Sequence, residues 1–179
     1  MSSGERVSYD TAQRIAVQWV THIAMLNTTE KVAVVGSLRR KEEEIGDIDI
    51  QVQGDPSRID QLFWRKGVIQ VSGGEKRQIY QLKSGMKINI FYTKRSEWGS
   101  ALMHNTGPRR YNIRKRAQVK RIGYKLNQEG IWSDDGYKVT GSFYKRTLSV
   151  ETDKIYHCDT EQKIYDFFGW DYCKPEDRK

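Results

Sequence analysis

Cysteine is scarce in this chain: two in 179 residues, Cys158 and Cys173, without CxxC spacing or paired histidines beside them. That pattern argues against a structural zinc site and against a disulfide scaffold, and free thiols in a reducing compartment are the expectation. Long apolar runs are lacking too; none reaches the roughly 18 residues of a membrane-spanning helix. No signal-peptide pattern opens the chain. The expectation is a soluble, intracellular protein with no membrane partner. Internal repeats and low-complexity segments are absent. Negative charge is the minority sign: 23 Asp+Glu stand against 31 Lys+Arg, a formal net charge of +8 that points to a polyanionic partner. Hydrophobic content of 37% with 11% aromatic residues supplies a core for one domain or two small lobes.

The densest information lies in residues 31–52. An apolar, β-branched run, Val32 to Val35, ends at Gly36-Ser37; Leu38-Arg39-Arg40 follows, and Gly46 opens a second, alternating run. The period-2 rule puts Asp47, Asp49 and Gln51 on one strand face and Ile48, Ile50 and Val52 on the other. Two neighbouring carboxylates repel unless a cation lies between them, and Mg²⁺ is the usual partner of such oxygen ligands. A Gly36-Ser37 turn with free N–H groups, followed by Arg39 and Arg40, suits phosphate oxygens. Carboxylates facing a phosphate cradle are the apparatus of metal-assisted phosphoryl or nucleotidyl transfer.

Around this stretch, Ala12, Ile15, Ala16, Trp19, Val20, Ile23 and Ala24 predict an amphipathic helix capped by Ser8 or Asp10. Gly54-Asp55-Pro56-Ser57 predicts a short helix turning Ile59, Leu62 and Phe63 inward. Strands are expected at 67–72, 76–82 and 86–92, with turns at Gly73-Gly74 and Ser84-Gly85. In the last of them Lys87, Asn89 and Phe91 share a face. A short helix from Glu97 to Met103 leads to His104-Asn105-Thr106-Gly107-Pro108. The next helix, about 108–122, carries Arg109, Arg110, Arg114, Lys115, Arg116, Lys120 and Arg121 with no acidic residue among them, a pattern for binding a phosphate backbone. A hairpin at Tyr124–Trp132 and a capped helix at 159–170 with Ile164, Phe167 and Phe168 inward complete the chain. The fold class expected is α+β: a mixed or antiparallel sheet with helices on one face (1–103), then a small C-terminal α/β lobe (104–179).

Gly36-Ser37-Leu38-Arg39-Arg40 with Gly46-Asp47-Ile48-Asp49 resembles the signature of the nucleotidyltransferase superfamily, and of family X DNA polymerases in particular. The ending resembles the polymerase β group as well: a Glu-Gln cap, an aromatic helix, Trp170-x-Tyr172 and Pro175-x-Asp177-Arg178. The resemblance implies a nucleotidyltransferase palm plus a nucleotide- and template-binding lobe, and a template-directed DNA polymerase acting on gapped DNA with dNTP as a monomer. Neither an amino-terminal lyase domain nor a helix-hairpin-helix is expected, as in short viral members. By this resemblance Asp47 and Asp49 would bridge two Mg²⁺, or Mn²⁺, and Gly36, Ser37, Arg40 and Gly46 would hold the triphosphate. Thr106 and Gly107 would flank the sugar, His104 would take the position of an aromatic, and Asn112 would read the edge of the incoming base. Arg114, Lys115, Arg116 and Lys120 would contact DNA, Arg116 near the templating base.

One residue departs from the family pattern. Where an aspartate completes the metal-binding triad, this chain has Asn89. An amide is a weaker ligand than a carboxylate and is no base, so slow or trapped chemistry is expected. Two explanations compete: a change made to trap a substrate complex, or a naturally inactive protein or one using another acid such as Asp55 or Glu97. Beside the polymerase stand two other functions, a non-catalytic DNA- or nucleotide-binding protein and a different nucleotidyltransferase.

Overall fold

A computed structural model describes residues 6–133, 140–143, 146–149 and 155–179. The chain divides into two compact units, Met1–Thr93 and Lys94–Lys179.

The first unit is α+β. A two-residue strand β1 (Val7–Ser8) leads into helix α1 (Tyr9–Ala24), whose first turn is closed by the Ser8 side chain accepting from the Thr11 N–H. Of the two caps considered, Ser8 is the one used. Strand β2 (Lys31–Val35) runs directly into a one-turn helix α2 (Gly36–Arg39), and a short β3 (Glu44–Ile45) pairs back with β1. Strand β4 (Asp47–Gln53) carries the Asp-x-Asp pair, and helix α3 (Pro56–Arg65) follows, with Asp55 as its cap and proline in the first turn. Strands β5 (Ile69–Gly74), β6 (Arg77–Gln81) and β7 (Lys87–Tyr92) finish a five-stranded sheet of order β2-β4-β7-β6-β5.

The sheet is mixed. β4 and β7 are parallel at its centre, and every other pairing is antiparallel. Helices cover one face, because Ala12, Ala16, Trp19 and Ile23 of α1 and Ile59 and Phe63 of α3 meet Ile48, Ile50, Ile88 and Ile90 there. Trp19 stacks on Phe63 at 4.2 Å between ring centroids, and Phe63 stacks on Tyr80 at 3.9 Å. The isoleucines of two alternating strands are therefore spent on the core, which leaves Asp47, Asp49 and Asn89 to the opposite face. Gly73-Gly74 is not a turn, as the sequence suggested, but the end of β5. A register shift between Gln70 and Ser72 carries the strand further, so that Gly73 pairs with Gln78. Glycine is required there: a Cβ would sit 2.8 Å from the Arg77 carbonyl oxygen, at φ +155°.

In the second unit a 3₁₀ turn (Arg95–Glu97) precedes α4 (Trp98–Thr106), and α5 (Arg109–Lys120) follows after Gly107-Pro108. The expected division at 103/104 lies inside α4, a helix that packs on the last helix of its own unit. The hairpin β8 (Tyr124–Leu126) and β9 (Ile131–Ser133) turns at Asn127, whose side-chain oxygen accepts from the N–H groups of Glu129 and Gly130. A second hairpin pairs β10 (Thr140–Phe143) with β11 (Arg146–Ser149). Helix α6 (Glu161–Phe168) is capped by Thr160 and stopped by Gly169 in the left-handed conformation. Its Ile164, Tyr165, Phe167 and Phe168 enclose a core with Met103, Tyr111, Val119, Tyr124, Leu126 and Ile131. Among the described residues no helix is long and apolar enough to cross a membrane.

Candidate active site

The parallel register of β4 and β7 sets Asp49 directly opposite Asn89 and Asp47 opposite Lys87. The Asn89 amide nitrogen donates to both carboxylates, at 2.9 Å to Asp47 Oδ2 and 2.7 Å to Asp49 Oδ1. Its carbonyl oxygen accepts from Arg77 Nη2 at 2.9 Å. These partners fix which end of the amide is which: turned over, the oxygen would face two carboxylates and the NH₂ a guanidinium. Burial, and next the charge of Asp47, push the Asp49 carboxyl up to about 6, while Asn89, Arg77 and Arg40 pull the other way. Asn89 itself is only 2% exposed.

Gly36 approaches this pair from the end of β2. A Cβ at Gly36 would lie 2.0 Å from Asp49 Oδ2, and its φ of +65° is strained for any other residue. The expected turn is here the start of α2, so the backbone reaches the Asp49 side chain only because residue 36 has none. Arg40 closes α2 and forms an ion pair with Glu42, Nε to Oε1 at 3.2 Å. Gly46 shows no such crowding; a Cβ there would meet only Arg6, at 4.0 Å. Asp55 accepts from the Ser57 N–H and hydroxyl, which hold it below the usual carboxylate range. That makes it a stable anion at a helix cap and a poor general base.

Metal chemistry fits the donors only in part. Asp47 and Asp49 offer hard carboxylate oxygens on one face, and the Asp49 pKa, raised by burial and next by the charge of Asp47, marks an anion that a cation would stabilise. The third position presents N–H groups to them rather than an oxygen. Among the described residues no group of three or more His, Cys, Asp or Glu side chains is placed to hold a metal ion.

Within the second unit, α4 and α5 bring His104, Asn112 and Arg116 together. Asn112 Nδ2 donates to the His104 carbonyl at 2.7 Å, and Arg116 Nη2 lies 2.6 Å from His104 Nδ1. Because guanidinium can only donate, His104 accepts at Nδ1 and carries its proton on Nε2. Burial and Arg116 together hold its pKa below the ordinary histidine value. Thr106 is fully buried, and Gly107 ends α4 at φ +67°. Of the basic run, Arg114 and Lys120 are exposed, whereas Lys115 is half-buried with its ammonium 3.8 Å from the Trp170 ring centroid. A cleft of about 420 Å³ opens beside α5, lined by Arg116, Lys120, Tyr124, Lys125, Asn127 and Gln128. Sequence reasoning missed Lys125, and it missed Arg77 in the first unit.

A sequence model of the DNA polymerase beta thumb matches residues 101–179. The repair DNA polymerase X of African swine fever virus is 27% identical over 144 residues, covering 73% of this chain and 80% of that protein. The DNA polymerase/3'-5' exonuclease PolX of Bacillus subtilis is 24% identical over 98% of this chain, which spans 29% of its length. Among solved structures, the ternary P/T complex of Leishmania infantum polymerase beta superposes with a TM-score of 0.78 at 17% identity, covering 99% of this chain and 78% of that one. The ternary gap complex of the same protein superposes equally well, at 18% identity. With the Gly-Ser to Asp-x-Asp arrangement on the sheet and the thumb match behind it, the chain is similar to the repair polymerases of family X over most of its length and has the polymerase β fold.

Proposed function

We propose that this protein is a template-directed DNA polymerase that adds dNMP to a primer 3'-hydroxyl in gapped DNA, with chemistry weakened at Asn89. The observation that carries the reading is the meeting of Asp47, Asp49 and position 89 on one sheet face, with Gly36 backbone pressed against Asp49. Met1–Thr93 serves as the catalytic palm and Lys94–Lys179 as the nucleotide- and template-binding lobe. Asp47 and Asp49 would hold Mg²⁺ or Mn²⁺, and Ser37, Arg40 and the α2 backbone the triphosphate. When bound, such ions neutralise phosphoryl charge and acidify the attacking hydroxyl.

In the reaction the 3'-oxygen bonds to the α-phosphorus, the bond to the pyrophosphate leaving group breaks, and the hydroxyl proton departs. An amide cannot accept that proton, so Asn89 leaves it to a neighbouring carboxylate or to solvent. His104, Asn112 and the Thr106-Gly107 bend would position the base and sugar, with neutral His104 offering Nε2–H as a donor. The exposed Arg114 and Lys120, with the cleft that Lys120 and Lys125 line, would track the DNA backbone.

The test is primer extension on gapped DNA with Mg²⁺ or Mn²⁺, together with calorimetry of Mg²⁺-dependent dNTP binding. Asp47→Ala and Asp49→Ala should each abolish metal-dependent triphosphate binding, and binding that persists in both removes the site. For the backbone contacts, changing Arg114, Lys120 and Lys125 to Ala should flatten the slope of log K against log salt by about 2–3, at roughly 0.9 per phosphate contact. Lys115→Ala should leave that slope alone, because its ammonium is spent on Trp170. A second reading, a DNA- or nucleotide-binding protein without turnover, is favoured by the Asn89 amide bridging both carboxylates. No extension product under any metal, with nucleotide binding intact, selects it.

A further inference from the structure

The third position of the carboxylate site is controlled from a strand that the family signature does not touch. Arg77 begins β6 and is opposite Phe91 of β7, two residues along from Asn89 and on the same face. Its guanidinium lies over the Phe91 ring at 5.3 Å and donates to Asn89 Oδ1 at 2.9 Å. The amide therefore has its one acceptor taken by a cation and both its N–H bonds given to Asp47 and Asp49.

We propose that Arg77 is a positioning residue: it locks the Asn89 amide with its NH₂ toward Asp47 and Asp49, and so closes the pair to a second divalent ion. This inference rests on the reading of Asp47 and Asp49 as metal ligands, but its first test does not. For Asn89 to lend an oxygen to a metal, its amide must turn over. Turning it over directs NH₂ against the guanidinium and the oxygen against two carboxylates before any ion arrives. The chain as it stands then takes one ion with the nucleotide, and the amide that Arg77 locks in place excludes the other. Arg77→Met keeps a long side chain over Phe91 and removes the donor.

Two measurements test this on the full chain. In metal-free protein, the Asn89 side-chain amide should give two resolved, slowly exchanging protons by ¹⁵N NMR, and in Arg77→Met that protection should fall at least tenfold. Protection unchanged in Arg77→Met overturns the lock. Mn²⁺ is then titrated against the protein and a non-hydrolysable dNTP, with free ion read by electron paramagnetic resonance. The parent should bind one tight ion, and Arg77→Met a second with affinity raised at least tenfold. Removing a cation strengthens ion binding by charge alone, so the same change is made in an Asn89→Ala background. An equal gain in both backgrounds means that Arg77 acts only through its charge, and the proposal fails. A gain confined to the Asn89 background supports it. If no variant binds Mn²⁺ with nucleotide, the metal-site reading fails, and the amide protection alone decides whether Arg77 holds Asn89.

Discussion

Asn89→Asp should raise the single-turnover insertion rate by at least about 10³-fold, equivalent to roughly 4 kcal/mol of transition-state stabilisation. Asparagine and aspartate have the same shape, and Asn89 is fixed by its register opposite Asp49, so the backbone needs no adjustment. What changes is that a carboxylate replaces two N–H bonds to existing carboxylates. The same substitution should therefore destabilise the metal-free protein while it speeds the metal-loaded one. Three carboxylates would share one buried corner with Arg77 as their near cation, and melting in EDTA should drop by several degrees relative to the parent. Millimolar Mg²⁺ with dNTP should reverse the order. Nucleotide affinity should change much less than rate, because the triphosphate side depends on Asp47 and Asp49. A rate gain of only a few-fold would give the turnover-free reading the advantage.

The parts of this structure that local rules govern were legible from the chain. Alternation in 47–52 sent Ile48, Ile50 and Val52 to the core, and helical spacing did the same for Ala12, Ala16, Trp19 and Ile23. The start of α1 was readable to within Ser8 or Asp10 and that of α3 to within Gly54–Ser57, because short polar side chains before an apolar-periodic run serve as caps. Gln51 shows the limit: alternation placed it with the aspartates, yet it is fully buried, since solvent reaches only the strand end that carries Asp47 and Asp49. Arg77 was invisible because its neighbourhood depends on the β6–β7 register, which leaves no local sequence signal. Lys115 was read as one of seven equivalent cations. It is four residues after Tyr111 and so on the same helix side, where the tail brings Trp170 over it. The orientation of the Asn89 amide was unreadable for a different reason: composition names an amide but not which end of it meets an anion. Asp47 and Asp49 on one end and Arg77 on the other decide that.

The second large effect concerns the end of the chain. Glu161, in the first turn of α6, and Arg178, in the final residues, form a buried ion pair with Nη2 to Oε1 at 2.6 Å and side chains 5% and 0% exposed. Arg178 also donates from Nε and Nη2 to the Cys173 carbonyl at 3.2 and 3.1 Å, and its guanidinium lies 5.4 Å from the Tyr111 ring centroid. Tyr172 donates its hydroxyl to the other Glu161 oxygen at 3.2 Å. Breaking such a pair from one side leaves the partner charge buried without compensation, a cost of about 3–5 kcal/mol. Arg178→Met should thus destabilise the chain by that amount, and Glu161→Leu by a comparable one. The double replacement should cost far less than their sum, because it removes both charges and the desolvation penalty with them. Urea denaturation of the four proteins measures the coupling directly, and about 2 kcal/mol or more of non-additivity is expected. Additive losses would mean that Arg178 holds the tail through the Cys173 carbonyl and Tyr111, with Glu161 contributing independently to the first turn of α6.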